Sequence, residues 1–455
     1  MTISLSKKYD VIVVGAGSAG CFASYKLTKA GLSVALIEYK GESSIGKKVC
    51  GDAIGAHHFK TLNLEEPKIG VDAMGIFDGV KVYSPSEKEY ITAPGKGFAL
   101  NRHAFGQRLL RMALNAGAEL FDKHKAIEPI IEGSWVKGVK VLDLKNNSIK
   151  EFYGKIVIDA TGAISAIRRK LPKEWWISEE VPNEDYNVTY REVWEVDMDL
   201  DTKYAEIYLN PEIAPGGYWW FFPKSKNIVN IGLGVQGKPD NPNPLRQFMK
   251  YLRIRFKDRI VRVIDSGGGI VPTRRTLSCM VWNGFLVIGD AACTANPLHG
   301  GGIGPSMLSA LKASETIVEA LDKGEPTISN LWSYHRKYHR IYGAKQAALD
   351  LVRMYLQGLS GEELNFFIER KVVSGLEVLD MGYEGELKLS ILKKLGIAVK
   401  LMNKPYLLKE IKALKDYMDK IRSLYLNFPE TPEEYSRWLS KVNELVNEFK
   451  LRIMR

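Results

Sequence analysis

Asp10-Val11-Ile12-Val13-Val14-Gly15-Ala16-Gly17-Ser18-Ala19-Gly20, followed by a helical pattern to Gly31 and a second apolar run closed by Glu38, is the stretch on which the reading of the fold turns. Residues 11–14 are apolar on both faces, as in a strand buried inside a parallel sheet. Residues 19–30 carry helical periodicity, and 33–37 read as the next strand. Gly15 permits a tight turn, Gly17 lets a pyrophosphate approach the backbone, and Gly20 lets the helix pack closely on the strand. The N-terminus of that helix offers N–H groups and a partial positive charge to the same anion. Glu38 stands eighteen residues beyond Gly20, placed to accept hydrogen bonds from ribose hydroxyls and to repel a 2′-phosphate. A glycine triplet alone marks only a turn. Strand, triplet, helix, strand and acid in this register imply a dinucleotide-binding domain.

A chain of 455 residues exceeds the usual single core, so two or three domains are expected. Its 45% hydrophobic and 26% charged residues are ordinary for a globular protein. No apolar run approaches a membrane-spanning length and the N-terminus enters a strand without a signal peptide, so a cytoplasmic location is expected. Cys21, Cys50, Cys279 and Cys293 lack metal-ligand spacing and are too few for a disulfide scaffold; no metal site is expected. The net charge of +11 fits either an acidic partner surface, such as anionic lipid or a diphosphate, or a merely basic exterior. Without a nucleic-acid-binding motif, nucleic acid is not an expected partner.

Residues 41–56 read as a loop whose Gly46, Gly51 and Gly55 suit close contact with a ligand. Residues 76–93 read as two strands about Ser84-Pro85-Ser86. Residues 101–117 form an amphipathic helix with Phe105, Leu109, Met112, Ala113 and Ala116 on one face. Short strands at 118–121 and 156–158 enclose a meander, and Asp159-Ala160-Thr161-Gly162 ends in a tight turn. The pattern turns to β over 186–235, a helix follows near 243–256, and residues 266–272 read as a third glycine-rich turn. A buried strand at 284–288 runs into Gly289-Asp290-Ala291-Ala292, then Asn296-Pro297-Leu298-His299-Gly300-Gly301-Gly302 and a helix over 304–322. From 331 onward the pattern is helical, broken near Gly358, Gly361, Gly375, Gly382, Gly385 and Pro429.

Gly289-Asp290 puts a carboxylate at the C-terminal edge of a doubly wound sheet, where ligands collect, and Gly301-Gly302-Ile303-Gly304 opens the next helix with N–H groups toward an anion. Together with the 15–20 triplet, Glu38 and the run from Asp159 to Arg168, these segments resemble the three fingerprints of flavoproteins of the para-hydroxybenzoate hydroxylase fold, in order and spacing over about residues 8–325. The resemblance implies an α/β architecture: a Rossmann-type FAD-binding domain (1–60, 98–170 and 270–330) interleaved with an antiparallel β-sheet substrate domain (61–97 and 171–269), plus a helical C-terminal domain (331–455). It implies FAD as the cofactor, with contacts at Gly15, Gly17, Ala19, Gly20, Glu38, Cys50, Gly51, Ala53, Arg102, Ala126, Gly162, Asp290, Gly302 and Ile303. The adenosine end would lie near Glu38 and Arg102, the ribityl chain near Asp290.

Pro215-Gly216-Gly217-Tyr218-Trp219-Trp220-Phe221-Phe222-Pro223 carries the substrate reading. Its prolines should end the strand on either side, and period 2 puts Tyr218, Trp220 and Phe222 on one face, Trp219 and Phe221 on the other. One face then packs on the domain while the other roofs a long, dry slot with a single phenol, suited to an extended hydrocarbon. The spelling Pro-x-x-Tyr-x-Trp-x-Phe-Pro matches the substrate motif of geranylgeranyl reductases at every specified position. Lys48-Val49-Cys50-Gly51-Asp52 and Gly300-Gly301-Gly302-Ile303-Gly304-Pro305-Ser306 resemble that family's flavin loops. The chain is similar to the archaeal branch that saturates geranylgeranyl chains of membrane lipids.

The resemblance implies an FAD-dependent reductase of C=C bonds in geranylgeranyl lipids or geranylgeranyl diphosphate, by hydride transfer from reduced flavin plus protonation, with NAD(P)H or ferredoxin as electron donor. Tyr218, Trp220, Phe222 and Pro297 are the expected substrate contacts, and Tyr218 and Cys50 the candidate catalytic groups. A tyrosine with the ordinary pKa near 10 is, however, a poor acid. Cys50 and Cys293 form either a redox-sensitive pair or two buried thiols. Lys393, Lys394, Lys400, Lys404, Lys409, Lys412 and Lys415, interleaved with Ile391, Leu392, Leu395, Ile397, Val399 and Leu401, either settle peripherally on anionic lipid or form a solvated helical face. A flavin monooxygenase of the same fold and a non-catalytic prenyl carrier, like the Rab GDP-dissociation inhibitors, are the alternatives. Flavin halogenases fit less well, since Tyr218 stands where their Trp-x-Trp-x-Ile-Pro pattern needs tryptophan.

Overall fold

In the computed structural model, which describes residues 8–372, 374–377, 400–401 and 403–453, one chain threads back and forth between two eight-stranded sheets. The apolar run forms β1 (Lys8–Val14), the triplet turns into α1 (Ser18–Lys29), and β2 (Val34–Ile37) ends before Glu38. A short strand, β3 (Ala53–Gly55), and α2 (His57–Leu62) lead into the hairpin of β4 (Ala73–Tyr83) and β5 (Tyr90–Leu100). Asn101 starts α3 (Arg102–Asn115) by accepting a hydrogen bond from the Ala104 N–H at 3.2 Å. Then come β6 (Glu119–Phe121) and the meander β7 (His124–Glu132), β8 (Trp135–Asp143) and β9 (Ser148–Asp159). The β-rich stretch supplies β10 (Tyr186–Val196), β11 (Tyr204–Tyr208), β12 (Tyr218–Ser225) and β13 (Ile228–Gln236). A helix, α4 (Pro244–Gln247), runs on as a π-helical segment, Phe248–Arg253, before β14 (Ile260–Pro272). β15 (Val281–Trp282), β16 (Phe285–Val287) and α5 (Ile303–Asp322) return to the first sheet. The helices that follow are α6 (Ile328–Leu331), α7 (Ser333–Tyr338), a π-helical turn at His339–Gly343 leading into α8 (Ala344–Gly358), α9 (Gly361–Glu369), α10 (Pro405–Leu426) and α11 (Tyr435–Ile453).

The first sheet runs β15-β16-β9-β1-β2-β6, with β8 also on β9 and β7 on β8. β1 pairs in parallel with β2 and β9, so Val14 lies between Ile37 and Asp159 and three strands end together. Such a common C-terminal edge is where doubly wound sheets bind ligands. Val11, Ile12, Val13 and Val14 are all buried, and α1 packs against both α3 and α5. The second sheet runs β14-β10-β13-β12-β11-β4-β5-β3, antiparallel except at β11–β4. A Rossmann-type sheet, a mostly antiparallel second sheet and a helical C-terminal region are the architecture the sequence leads one to expect.

Several local expectations are corrected. Residues 266–272 are not a turn but the end of β14, with Gly267, Gly268 and Gly269 opposite Arg191, Tyr190 and Thr189. Gly267 serves close approach: a Cβ there would come 2.6 Å from the Val49 side chain. β12 does not stop at Pro223 but reaches Ser225, because β11 pairs only with Trp219, Trp220 and Phe221 and a bulge between Pro223 and Ser225 accommodates the missing N–H. The expected domain boundaries move too: the second sheet already takes Ala53–Gly55, since Gly55 ladders opposite Gly97 of β5, and keeps the chain to Pro272. Of the basic stretch, Ile391, Leu392, Lys393, Lys394, Leu395, Ile397 and Val399 lie outside the described residues, as do the breaks at Gly382 and Gly385. Lys404 pairs with Glu362 at 2.9 Å, and Lys415 pairs with Asp419 one turn on. Among the described residues no helix is long and apolar enough to cross a membrane.

Candidate functional site

The three strand ends of the first sheet open onto a cavity of about 1850 Å³ that continues past the aromatic face of β12 to α8, α9 and α10. At its dinucleotide end Gly15 has φ +103, and a Cβ there would lie 2.5 Å from the Ala160 carbonyl oxygen. Gly20 is set behind the loop rather than on the cavity wall; its Cβ would meet the Gly15 oxygen at 1.8 Å, so only glycine lets α1 pack so closely. Gly17 and Gly162 are the reverse, with nothing within 4 Å of a Cβ and their backbone open to a ligand. Ala19, Cys50, Gly51, Ala53, Ala126, Gly302 and Ile303 line the same space.

The charged groups here are only partly matched by protein. Glu38 is buried, with Oε2 accepting from the Ala16 N–H at 2.7 Å and Oε1 from the Lys40 N–H at 3.0 Å, so it also ties the loop to the end of β2. Arg102 donates from Nη2 to Ser18 Oγ at 2.9 Å, while its Nε and Nη1 are buried without a protein acceptor. Asp290 holds the Lys48 ammonium at 3.3 Å on Oδ2 and has no partner on Oδ1. Orphaned guanidinium donors, open glycine backbones and carboxylates at both ends form a donor and acceptor set that fits FAD, a diphosphate flanked by hydroxyl-bearing chains.

Strand register builds the aromatic end. Trp220 stands opposite Ile207, which stands beside Val82, which faces Ile91, and all four line the cavity as one apolar row across the sheet. Tyr218 and Phe222 flank Trp220 on that face, while Trp219 turns the other way, stacks on Tyr208 at 3.6 Å and joins Phe221, Trp194 and Phe248 in a separate core. Gly232 makes room for the Trp220 indole: a Cβ would lie 2.4 Å from its ring. Past this wall the lining takes Val352, Tyr355 and Leu356 from α8, Leu364 and Phe367 from α9, and Ile411 and Leu414 from α10, with Glu377 the acidic residue among them.

A network absent from the sequence expectations fastens the 48–52 loop to this wall. Lys224 Nζ donates to Asp52 Oδ2 at 2.6 Å and to the Leu100 carbonyl at 2.7 Å. Asn230 Nδ2 donates to Asp52 Oδ2 at 3.1 Å and to the Cys50 carbonyl at 2.8 Å, and its Oδ1 accepts from Trp220 Nε1 at 3.0 Å. A lysine and an asparagine at inward positions of apolar strands were the one available signal, since buried polar groups need partners.

Tyr218 donates its O–H to the His299 carbonyl at 2.6 Å, and burial, then the neighbouring Cys50, pushes its pKa far above the ordinary tyrosine value. Cys50 lines the cavity, its thiol pushed up by burial and by Asp52. Cys293 is buried away from the cavity wall, pushed up to about 12 by burial against the pull of Arg274 and Arg168. All four cysteines are free, so the Cys50–Cys293 pair is not formed. Pro297 is also buried off the wall: Asn296 Oδ1 accepts the N–H groups of Leu298 (2.9 Å) and His299 (3.4 Å), and the turn presents Leu298 and His299 instead. His57, His58 and His299, given no role from sequence, line the cavity together with Lys345, which stands in a helical run with no motif to mark it. Burial pushes His57 and His299 down to about 4 and His58 lower than usual as well.

Residues 185–271 match the family described as the geranylgeranyl reductase catalytic domain, and 10–177 match that of glucose inhibited division protein A. The chain is 39% identical over 444 residues to the digeranylgeranylglycerophospholipid reductase of Sulfolobus acidocaldarius, covering 97% of this chain and 98% of that protein. It is 30% identical to digeranylgeranylglycerophospholipid reductase 2 of Methanopyrus kandleri, covering 90% and 99%. Among solved structures it resembles a geranylgeranyl bacteriochlorophyll reductase-like protein of Thermoplasma acidophilum, at 25% identity and a TM-score of 0.76, over 90% of this chain and 99% of that one. A flavin-dependent brominase shares the fold at 20% identity and a TM-score of 0.63, over 88% and 100%.

Proposed function

The chain belongs to the digeranylgeranylglycerophospholipid reductase family, and on that footing we propose that it is an FAD-dependent reductase that saturates C=C bonds in geranylgeranyl chains. One observation carries the reading: a single cavity joins a dinucleotide loop to an aromatic wall and then to an apolar channel. Gly17, Glu38, Arg102, Asp290 and the 302–303 helix start are the residues to hold the cofactor. Reduced FAD, when bound there, supplies the hydride.

The chain's own residues orient and shield. The row of Ile91, Val82, Ile207 and Trp220 forms a flat floor for an extended prenyl chain, and the apolar walls keep water from it. The Trp220 and Phe222 ring faces stabilise the positive charge that develops on a tertiary carbon as a solvent-derived proton adds to the other alkene carbon, and hydride addition at the tertiary carbon completes the saturation. Tyr218 keeps its proton, and its O–H braces the 296–302 loop through the His299 carbonyl. Lys224 and Asn230 hold Cys50 and Asp52 against the floor, which sets the width of the slot at Gly51, where a Cβ would meet Phe222 at 3.1 Å.

The test is anaerobic. The holoprotein is reduced with dithionite, mixed with a geranylgeranyl glycerolipid, and followed by flavin absorbance and product mass. Reoxidation with a gain of two hydrogens per saturated bond is expected. Flavin that stays reduced until air enters, then yields an oxygenated product, overturns the reading in favour of a monooxygenase.

A further inference from the structure

Exposed apolar side chains gather at one edge of the second sheet. Leu245 on α4, Met249 in the π-helical segment and Ile254 just past it are exposed, as are Val261, Val263 and Ile270 on β14, with Ile254 and Val261 both at 61%. Strand register makes the two groups neighbours. Val263 and Ile270 stand opposite Trp194 and Val188 of β10, which share a face with Tyr190. That face packs on the π-helical segment, with the Tyr190 and Trp194 rings 5.1 and 5.8 Å from that of Phe248. Apolar residues scattered singly over a surface need no partner, whereas a gathered patch does.

Charge says what kind of partner the patch takes. Residues 238–264 carry eight lysines and arginines against two carboxylates. Arg253, Arg255 and Arg262 are paired with Glu192, Glu87 and Glu195. Among the described residues, the exposed Arg246, Lys250, Lys257 and Arg259 have no carboxylate within ion-pair distance. A second copy of the chain would bring the same cations against these across a self-complementary interface, so the patch favours an anionic partner. Apolar side chains set among free lysines and arginines are the pattern of a lipid-water interface. The depth of contact is limited too: β14 pairs only with β10, and its outer edge keeps N–H and C=O groups that can meet headgroups and water but not hydrocarbon. Leu245 and Ile270, 41% and 44% exposed, also line the cavity, which thus reaches the surface inside the patch.

We propose that α4, the π-helical segment and the edge strand β14 form a docking surface for an anionic lipid bilayer. Met249, Ile254 and Val261 enter the headgroup boundary, Arg246, Lys250, Lys257 and Arg259 meet lipid phosphates, and the cavity mouth at Leu245 and Ile270 faces the leaflet. That a prenyl lipid then passes from leaflet to cavity rests on the reductase reading; the docking does not.

The test mixes holoprotein with vesicles of phosphatidylglycerol and phosphatidylcholine in equal parts, or of phosphatidylcholine alone, without prenyl lipid, and reads the bound fraction by flotation. Wild-type protein is expected to bind the anionic vesicles at least about tenfold more strongly than the neutral ones, and to lose that preference in about 0.5 M salt. Ile254→Asp with Val261→Asp, and separately Arg246→Gln with Lys250→Gln, should each lower the partition coefficient about 10- to 30-fold, with flavin content and unfolding midpoint unchanged. Binding that survives either pair of changes, or wild-type protein that ignores anionic vesicles, overturns the docking surface. A dimer that the aspartate pair disperses, in protein that does not float, overturns it in favour of a second copy. Turnover separates this inference from the reductase reading. With a geranylgeranyl glycerolipid in detergent micelles the aspartate pair should match the wild-type rate, and from anionic vesicles it should fall about tenfold behind; equal slowing in both refutes the docking role. Should wild-type protein reduce the lipid in neither form, the reductase reading fails and flotation alone decides the surface.

Discussion

Replacing Lys224 by methionine removes the cation from a carboxylate that has almost no access to water. Asp52 is 3% exposed and Lys224 5%, their polar atoms are 2.6 Å apart, and Asp52 Oδ1 has no partner already. In the variant the Asp52 carboxylate would keep only the Asn230 amide at 3.1 Å, and the Leu100 carbonyl would lose its lysine donor. Breaking a buried pair in this way costs about 3–5 kcal/mol, more than the pair itself contributes, because one charge is left stranded. Asp52→Asn removes that charge while tolerating the φ of 61° at this position. The double variant Lys224→Met with Asp52→Asn should therefore regain about 2 kcal/mol over the sum of the single changes. The assay is a double-mutant cycle on unfolding midpoints of the four holoproteins, with flavin content and prenyl-reductase rate recorded for each. Lys224 does not line the cavity, so a rate loss in Lys224→Met reports displacement of the 48–52 loop rather than loss of a contact to substrate. Single effects that add to within about 0.5 kcal/mol would refute the coupling, and with it the claim that this pair sets the loop.

Arg102→Leu should lower FAD affinity by about 10- to 100-fold, since the cofactor loses two buried guanidinium donors that no protein group takes up; a flavin-to-protein absorbance ratio equal to wild type would contradict this. Tyr218→Phe should leave turnover within about tenfold of wild type and the pH profile unchanged, because the phenol keeps its proton and braces a carbonyl; a thousandfold loss with a missing pH limb would make it an acid after all. His335 is fully buried and neutral, with Nε2 accepting from the Met280 N–H at 2.8 Å, and its pKa falls from 6.5 to about 4 through burial. The unfolded chain takes up that proton first, so stability is fully present above pH 6.5 and declines as pH falls toward 4, by about 3 kcal/mol from this residue. His335→Gln should flatten the unfolding midpoint over that window, and an unchanged slope would remove His335 from the acid response.

Residues 10–38 and 215–223 show how far sequence reaches. A doubly apolar run, three glycines and an acid at set spacing specify β1, α1, β2 and a dinucleotide loop, because each of those demands is met by residues near one another in the chain. Alternation likewise sorts Trp220 from Trp219, since successive side chains of a strand must take opposite faces. Composition misleads where one residue type serves two ends: Gly267, Gly268 and Gly269 read as a turn, whereas they lie in a strand and Gly267 admits the Val49 side chain of a neighbouring loop. What sequence alone could not determine is which distant segments meet. Lys224 finds Asp52 across 172 residues, Asn230 finds the Cys50 carbonyl across 180, and Lys345 faces His57 from a helix beyond both sheets. Periodicity states which side of an element must be covered, whereas partners, burial and the displaced pKa values depend on the three-dimensional field of groups remote in the chain. The dinucleotide loop is therefore determined by sequence, and the shape and charge of the cavity beyond it by tertiary structure.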